Sequence, residues 1–463
     1  MIDYHLFMKV TKTVKIAVNT PGGQTTRIDI PEIVMQGSTW GSLLCSVQTD
    51  KFGKNALERE EYLYKYKGDI GIPPLIMVDD VLTVSECGIE SVKINAYINA
   101  RFEQKRLELN EKKCYQIHAV KTNKECAELF SHEEKMKKVK ETKYVGDILN
   151  FNGKNKRNVE SRFVKGMSVI TTTMRILNEI SIGENYFVVA KMLRDSMLMN
   201  SILLNVEVWF DIAKDELGKF ETIEKIFIRK VLKVPITTPV TALYLEFGII
   251  PVKFIIKARR IMYLHYLLNL HKEDLLYRVF KAQKDDPIKN DWCQTVDEDL
   301  IEIGIKMNHE EIKQIKKEAF KTLLKTKCKE AALEFLLNEK EKVKSKMEKL
   351  KYKKIQMQKY LTTKKLTTRN KKLLFKLRCR MVNVGKNFGR NDCCKLCKIE
   401  EDSQQHLIEC LKIKEKVPEI KENTTIQHEH IYSKSIKEKI DAVKLFDKAI
   451  STRKILLEKL EES

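Results

Sequence analysis

No apolar run in this chain reaches the roughly 18 residues that a membrane span needs, and the opening Met-Ile-Asp-Tyr-His-Leu lacks the basic-then-apolar layout of a signal peptide. The expectation is an intracellular protein of nucleus and cytoplasm with no membrane partner. No internal repeat of fixed period appears, which excludes a solenoid or propeller array. Acidic residues are in deficit: 64 Asp plus Glu face 86 Lys plus Arg, leaving a formal charge of +22 over 463 residues. A polyanion is the natural partner for that excess, because each neutralised phosphate releases condensed counterion. A disulfide framework is not indicated either. The 11 cysteines are odd in number and scattered, except for four between Cys393 and Cys410, and in a reducing compartment such a cluster suggests metal before disulfide.

What is present describes a multi-domain globular chain of α+β class, mostly helical: 43% hydrophobic and 32% charged residues are too apolar for disorder, and the length allows two to four cores. Residues 1–150 mix strands and helices. Ile28-Asp29-Ile30 and Ile33-Val34-Met35 read as short strands around Pro31, and Leu75–Val78 and Val81–Val84 as hairpin arms with Asp79-Asp80 between them. From 151 to 285 apolar residues recur at helical spacing, at Met167, Ile170, Met174, Leu177 and Ile180 and again at Val189, Met192, Leu193 and Met197. Pro235, Pro239 and Pro251 forbid one continuous helix. Residues 286–380 form a Lys/Glu-rich helical region closing on the basic stretch Lys364–Arg380. A compact cysteine module follows at 381–420, then a charged tail helix within 421–463.

The clearest constellation is Cys394-x2-Cys397-x8-His406-x3-Cys410. Two cysteines at the first spacing form a metal knuckle. Asp402-Ser403 offers a helix cap, and His406 and Cys410, four apart, share one face of the helix that follows. Three thiolates and an imidazole are a donor set for structural Zn2+. Cys393, His428 and His430 are left outside the set.

The second constellation is Met77-Val78-Asp79-Asp80. Two-metal phosphoryl transfer needs carboxylates that hold the ions about 3.5–4 Å apart, and a hairpin fixes such groups rigidly. Paired acids in a surface turn are also common without that role. Gln36-Gly37-Ser38-Thr39 precedes a helical pattern through Trp40, Leu43, Leu44 and Val47, so that Ser38 caps a helix whose N-terminal amides face an anion while Gly37 permits close backbone approach. An ordinary capped helix has the same pattern.

Taken in order, these residues resemble the reverse transcriptases of non-LTR (LINE-type) retrotransposons. Gln36-Gly37-Ser38 resembles the motif shaping the nucleotide pocket, and Met77-Val78-Asp79-Asp80 the catalytic x-x-Asp-Asp hairpin. Asn110-x2-Lys113 resembles the motif whose lysine lies near the incoming nucleotide, and Tyr144-Val145-Gly146 the hairpin that grips the primer. Trp209 to Pro235, Thr238-Pro239, Tyr244, Glu246, Gly248 and Pro251 to Arg259-Arg260 are similar to the helical region downstream of the polymerase, and the Cys394, Cys397, His406, Cys410 knuckle to the C-terminal zinc module. The resemblance covers about residues 20–415.

It implies a partial polymerase palm over 1–150, a thumb-like connector over 151–285, and RNA-directed DNA polymerase chemistry. Asp79 and Asp80 would be catalytic Mg2+ ligands, Gln36, Gly37 and Lys113 would bind nucleotide, Tyr144 and Gly146 would grip the primer, and template RNA and target-site DNA would be the partners. The departure is equally specific. The family's first catalytic aspartate precedes the Gln-Gly-Ser motif, and neither Asp3 nor Asp29 fits it. The chain is therefore expected to be an N-terminally truncated fragment that binds RNA and DNA without polymerising alone. Two alternatives stand beside it: a non-catalytic nucleic-acid-binding zinc-knuckle protein, and a zinc-stabilised helical module with a protein partner.

Overall fold

The computed structural model describes residues 15–17, 19–20, 23–29, 46, 54–104, 107, 109–118, 128–131, 134–179, 185–342, 347–390, 392–422 and 427–462. The protein is mostly helical with small, largely antiparallel sheets, an α+β architecture. Two compact units divide it: Met1–Lys154 with His271–Asp285, and Asn155–Leu270 with Asp286–Ser463. No helix among the described residues is long and apolar enough to cross a membrane.

In the first unit the strands pair in twos. Tyr64–Tyr66 (β1) and Ile70–Ile72 (β2) form one hairpin, and Leu75–Met77 (β3) and Asp80–Leu82 (β4) the next. Helix α1 (Gly88–Gln104) lays Ile94, Tyr97, Ile98 and Phe102 along one buried face, the three-and-four spacing of an amphipathic helix. Tyr97, Ile98 and Phe102 enclose Ala56, with Tyr62, Ile76, Val81 and Leu109 packed around them; Tyr62 stacks on Tyr97 with ring centres 4.4 Å apart. Tyr115–Ile117 (β5) pairs in parallel with Lys137–Val139 (β6), and Glu141–Tyr144 (β7) antiparallel with Asp147–Asn150 (β8). Helix Leu275–Asp285 belongs to this unit, and Lys67 Nζ donates to Ala282 O there at 3.2 Å. Ile28–Asp29 forms a short strand paired with Lys15–Ile16; Ile33-Val34-Met35 lies outside the described residues.

The second unit is helical. Helix α2 (Lys156–Glu179) buries Val159, Arg162, Gly166, Ile170, Thr173 and Leu177. This stripe shares Ile170 and Leu177 with the expected one but replaces the methionines with smaller side chains, because α2 packs closely. A Cβ on Gly166 would sit 2.9 Å from Ile202 and 3.0 Å from Ile223. Helix α3 (Tyr186–Leu193) runs into a π-turn at Arg194–Leu198. The buried residues here are Tyr186, Phe187, Ala190, Arg194 and Leu198, and Met192 is exposed, against the expected Val189-Met192 face.

Helix α4 (Lys214–Leu232) ends on left-handed Lys233. Pro239 and Pro251 each directly precede a helix, α5 (Val240–Phe247) and α6 (Val252–Leu268), positions where the missing N–H costs nothing. Trp292–Ile303 (α7) and Lys317–Glu341 (α8) follow; α8 buries Phe320, Leu324, Cys328, Ala332 and Leu336 at four-residue spacing. The chain closes with α9 (Thr368–Arg378), the cysteine segment and α10 (Ile436–Glu462).

Three buried ion clusters tie these helices together. Glu224 on α4 accepts Arg194 Nε at 3.1 Å, the Tyr244 hydroxyl at 2.7 Å and the Val252 amide at 2.9 Å. Asp299 on α7 accepts Arg260 at 2.6 and 3.1 Å and Lys257 at 2.9 Å. Glu246 on α5, fully buried, accepts both arms of Arg378 at 3.0 and 2.9 Å, Tyr360 at 2.7 Å, and Tyr352. Burial pushes the Glu246 carboxyl up, but the guanidinium and two phenols outweigh it and hold it below the ordinary carboxylate range. Beside it Gly248 is left-handed, and a Cβ there would lie 1.9 Å from Met357 N and 2.0 Å from Gln356 C. Only glycine fits that approach.

Candidate metal centre and acid hairpin

Around Cys394 the backbone builds the knuckle. The Cys394 amide donates to Glu400 O, and the Lys398 amide returns to Cys394 O, both at 2.7 Å, with Lys398 left-handed at φ 59°. Cys393 pairs in a bridge with Glu401 and is exposed, so the pleat carries it away from its neighbour. The Ser403 hydroxyl then accepts the His406 amide at 3.1 Å, starting the single turn His406–Glu409, and the Cys410 amide closes it on His406 O at 2.8 Å. Ser403 therefore supplies the expected cap. Asp402 does something else: its carboxylate accepts the Gly385 amide at 2.7 Å and meets the Arg453 guanidinium of α10 at 2.6 Å, off the N–H line.

These turns bring the donor atoms of Cys394, Cys397, His406 and Cys410 within 4.8 Å of one another. Cys394 and Cys410 sulfurs lie 3.9 Å apart, and Cys397 Sγ is 3.4 Å from His406 Nε2. A tetrahedron with Zn–S near 2.3 Å and Zn–N near 2.0–2.1 Å has edges of about 3.8 and 3.5 Å, so the quartet fits a zinc-sized ion. Burial pushes the Cys410 thiol up to about 11. Burial acts the same way on Cys397, but the Glu400 and Ile399 amides outweigh it and bring that thiol below its ordinary value. Among the described residues no other group of three or more metal-binding side chains converges in this way. His428 turns to Gln404, 3.1 Å away, and His430 Nδ1 accepts the Gln427 amide at 3.2 Å, so both stand outside.

The acid hairpin is present with a shifted tip. Met77 pairs with Asp80, so Val78-Asp79 makes the turn instead of Asp79-Asp80. The reason is register: this pairing sets Ile76 opposite Val81, and both pack on the α1 core, whereas a one-residue slip would turn one arm over. Val78 is held left-handed at φ 61°, a conformation costing a β-branched residue about 1–3 kcal/mol. Asp80 lies on the hairpin face opposite the core, with Leu75 and Met77, and both aspartates are exposed.

The structure brings Tyr144 to this hairpin. Its hydroxyl donates to Leu75 O at 3.2 Å, and burial first, then the Asp80 charge, raises the phenol above its ordinary value. Gly146 at φ 84° and Val145 at φ 46° form the two-residue loop joining β7 and β8, the doubly left-handed turn that hairpin twist favours. Lys113 ends the short turn Glu111–Lys113 leading into β5; among the described residues it makes no hydrogen bond or ion pair with the aspartates. Gln36, Gly37 and Ser38 lie outside the described residues. Among those described, no third acid, histidine or cysteine joins Asp79 and Asp80.

Sequence reasoning missed the second ring of contacts around the metal quartet. Gln404 Nε2 donates to Leu377 O at 2.9 Å, and Asn387 donates to Gln404 Oε1 at 3.1 Å. Neither residue type carries a signal by itself. No family model matches the chain, and no curated protein sequence matches it.

Proposed function

We propose that this protein is a reverse-transcriptase-related, RNA- and DNA-binding chain, with Zn2+ held by Cys394, Cys397, His406 and Cys410 as a structural staple. The observation that carries the reading is one hydrogen bond between the Tyr144 hairpin and the Asp79–Asp80 hairpin: the Tyr144 hydroxyl donates to Leu75 O, 69 residues away. In this reading 1–150 is palm-derived and 151–285 thumb-like. Gln36, Gly37 and Lys113 belong to a nucleotide pocket, and Tyr144 and Gly146 to a primer grip. Asp79 and Asp80 hold Mg2+ weakly as a hydrated ion.

In-line phosphoryl transfer needs two metals bridged by acids from separate strands, and one hairpin supplies half of that cage. A non-catalytic nucleic-acid-binding zinc-knuckle protein is the second reading, favoured by the missing third carboxylate among the described residues and by the complete Cys3His quartet.

The test of both is binding of unstructured RNA and duplex DNA across a salt series. If about six phosphates are engaged, affinity falls by roughly a thousandfold between 50 and 200 mM salt. Binding indifferent to salt removes both readings. Saturable Mg2+ binding lost in Asp79→Asn/Asp80→Asn, but retained in a variant lacking the zinc ligands, favours the first reading over the second.

A further inference from the structure

Between residues 364 and 380 the chain carries eight basic side chains and no acidic one. The fold puts several of them to structural use. Arg378 is locked on Glu246, Arg369 pairs with Asp447 at 3.0 Å, and Lys371 is fully buried. Lys372 and Lys376 lie one turn apart on the same face of α9, both half-buried.

Lys372 Nζ lies 4.3 Å from the centre of the Tyr186 ring. Tyr186 is itself buried, and its hydroxyl donates to Val231 O at 3.4 Å. Two residues on, Lys233 closes α4 in the left-handed conformation, near enough for its charge to act on both Lys372 and Lys376, while the Tyr186 ring floors Lys372. Among the described residues none of the three has a carboxylate partner. Burial, then the charges of Lys233 and Lys376, push the Lys372 ammonium down to about 8; burial and Lys233 lower Lys376 too.

Lys372 and Lys376 are partly withdrawn from water while Lys233 is exposed; three mutually repelling cations are unfavourable as they stand, and an anion seated among them reverses the sign of that interaction. The cation–π contact holds Lys372 upright, so little side-chain freedom is left to lose on binding. We propose that Lys233, Lys372 and Lys376, floored by Tyr186, form a binding site for a phosphate group of a nucleic-acid backbone. The site deepens the nucleic-acid reading above and rests on it for the source of the phosphate. Its chemistry would equally accept a free phosphate or pyrophosphate.

The test compares Lys233→Gln/Lys372→Gln/Lys376→Gln with a control of equal charge change on α8, Lys317→Gln/Lys321→Gln/Lys325→Gln, in the full chain. The probes are a 20-nucleotide RNA and inorganic pyrophosphate. The site variant is expected to lose at least about tenfold in RNA affinity and to flatten the log K against log salt slope by about 0.7, the share of one single-strand phosphate, while the control stays within about threefold. Removing clustered charge relieves repulsion, so the site variant should melt no lower than the wild type. Lys372→Arg, which keeps charge and ring contact, should retain affinity.

Equal losses in site and control variants overturn the site while leaving the nucleic-acid reading intact. If the wild type binds no RNA, the nucleic-acid reading fails; pyrophosphate binding lost only in the site variant would then identify a free-anion site, and its absence would overturn the site as well.

Discussion

Glu246 shows how much of this protein rests on single side chains. It accepts from Arg378, 132 residues away, and from two phenols, with no exposed surface of its own. Removing one member of a buried ion pair leaves the other charge uncompensated, at a cost of about 3–5 kcal/mol. Glu246→Gln is therefore expected to lower unfolding free energy by that amount at neutral pH, as read by denaturant titration. Its carboxyl is held below the ordinary range when folded. The stability it contributes is accordingly present above the unfolded carboxyl value and lost as pH falls through the folded one. The gap between wild type and variant should be widest near neutrality and narrow in acid; a gap constant down to pH 3 would contradict the assignment. Gly248→Ala should be damaging for a different reason, because backbone atoms at 1.9 and 2.0 Å stand where the methyl would go. A soluble variant with unchanged melting temperature would show that the 356–357 segment yields.

At the level of elements, the cysteine segment is not a free-standing bead. Ser403, Gln404 and Asp402 bind it to its own turn, to the end of α9 and to Arg453 of α10. Leu407, Ile408 and Ile413 are buried. The expected charged tail helix, α10, packs as a wall of the site, burying Val443, Phe446 and Ala449 and pairing Arg453 with Asp402. Metal removal should therefore loosen more than the ligand loops. Because binding energy at a structural zinc is folding energy, the purified chain is expected to carry one zinc, by elemental analysis. His406→Ala or Cys397→Ala/Cys410→Ala should lose it and increase amide exchange along 436–462 as well as 392–414. Stoichiometric zinc in the double variant would show that the ligands are misassigned, and unchanged exchange in α10 would show that the helix stands without the site.

For the whole molecule, net charge and the acid hairpin make opposite demands. The +22 excess favours a long polyanion, yet the described carboxylates at the hairpin number two, both from one hairpin. With a primed RNA template, Mg2+ and nucleotides, the chain alone is expected to extend no primer above background. Extension abolished by Asp79→Ala would reverse that expectation and require a third acid, with Asp29 the first to substitute.

Where the chemistry is local, the sequence determined the outcome. A CxxC turn and an HxxxC helical turn place donors by backbone geometry over a few residues, so the metal quartet was legible, as were the breaks that Pro239 and Pro251 impose on the helical region. The hairpin at 75–82 was legible as a hairpin, but its tip was not, because register is decided by which apolar residues reach the α1 core. The tertiary structure alone decided which basic residues are available. Arg378 and Lys371 disappear into the interior, while Lys372 lies over the Tyr186 ring and, like Lys376, feels the charge of Lys233 across more than 130 residues of chain. Nothing in the run Lys364–Arg380 distinguishes them. Burial and partner charge are properties of the packed helices, and Glu246, Tyr244 and Arg260, read first as a family-like string, are fixed in place by carboxylate, phenol and guanidinium partners that only folding brings together.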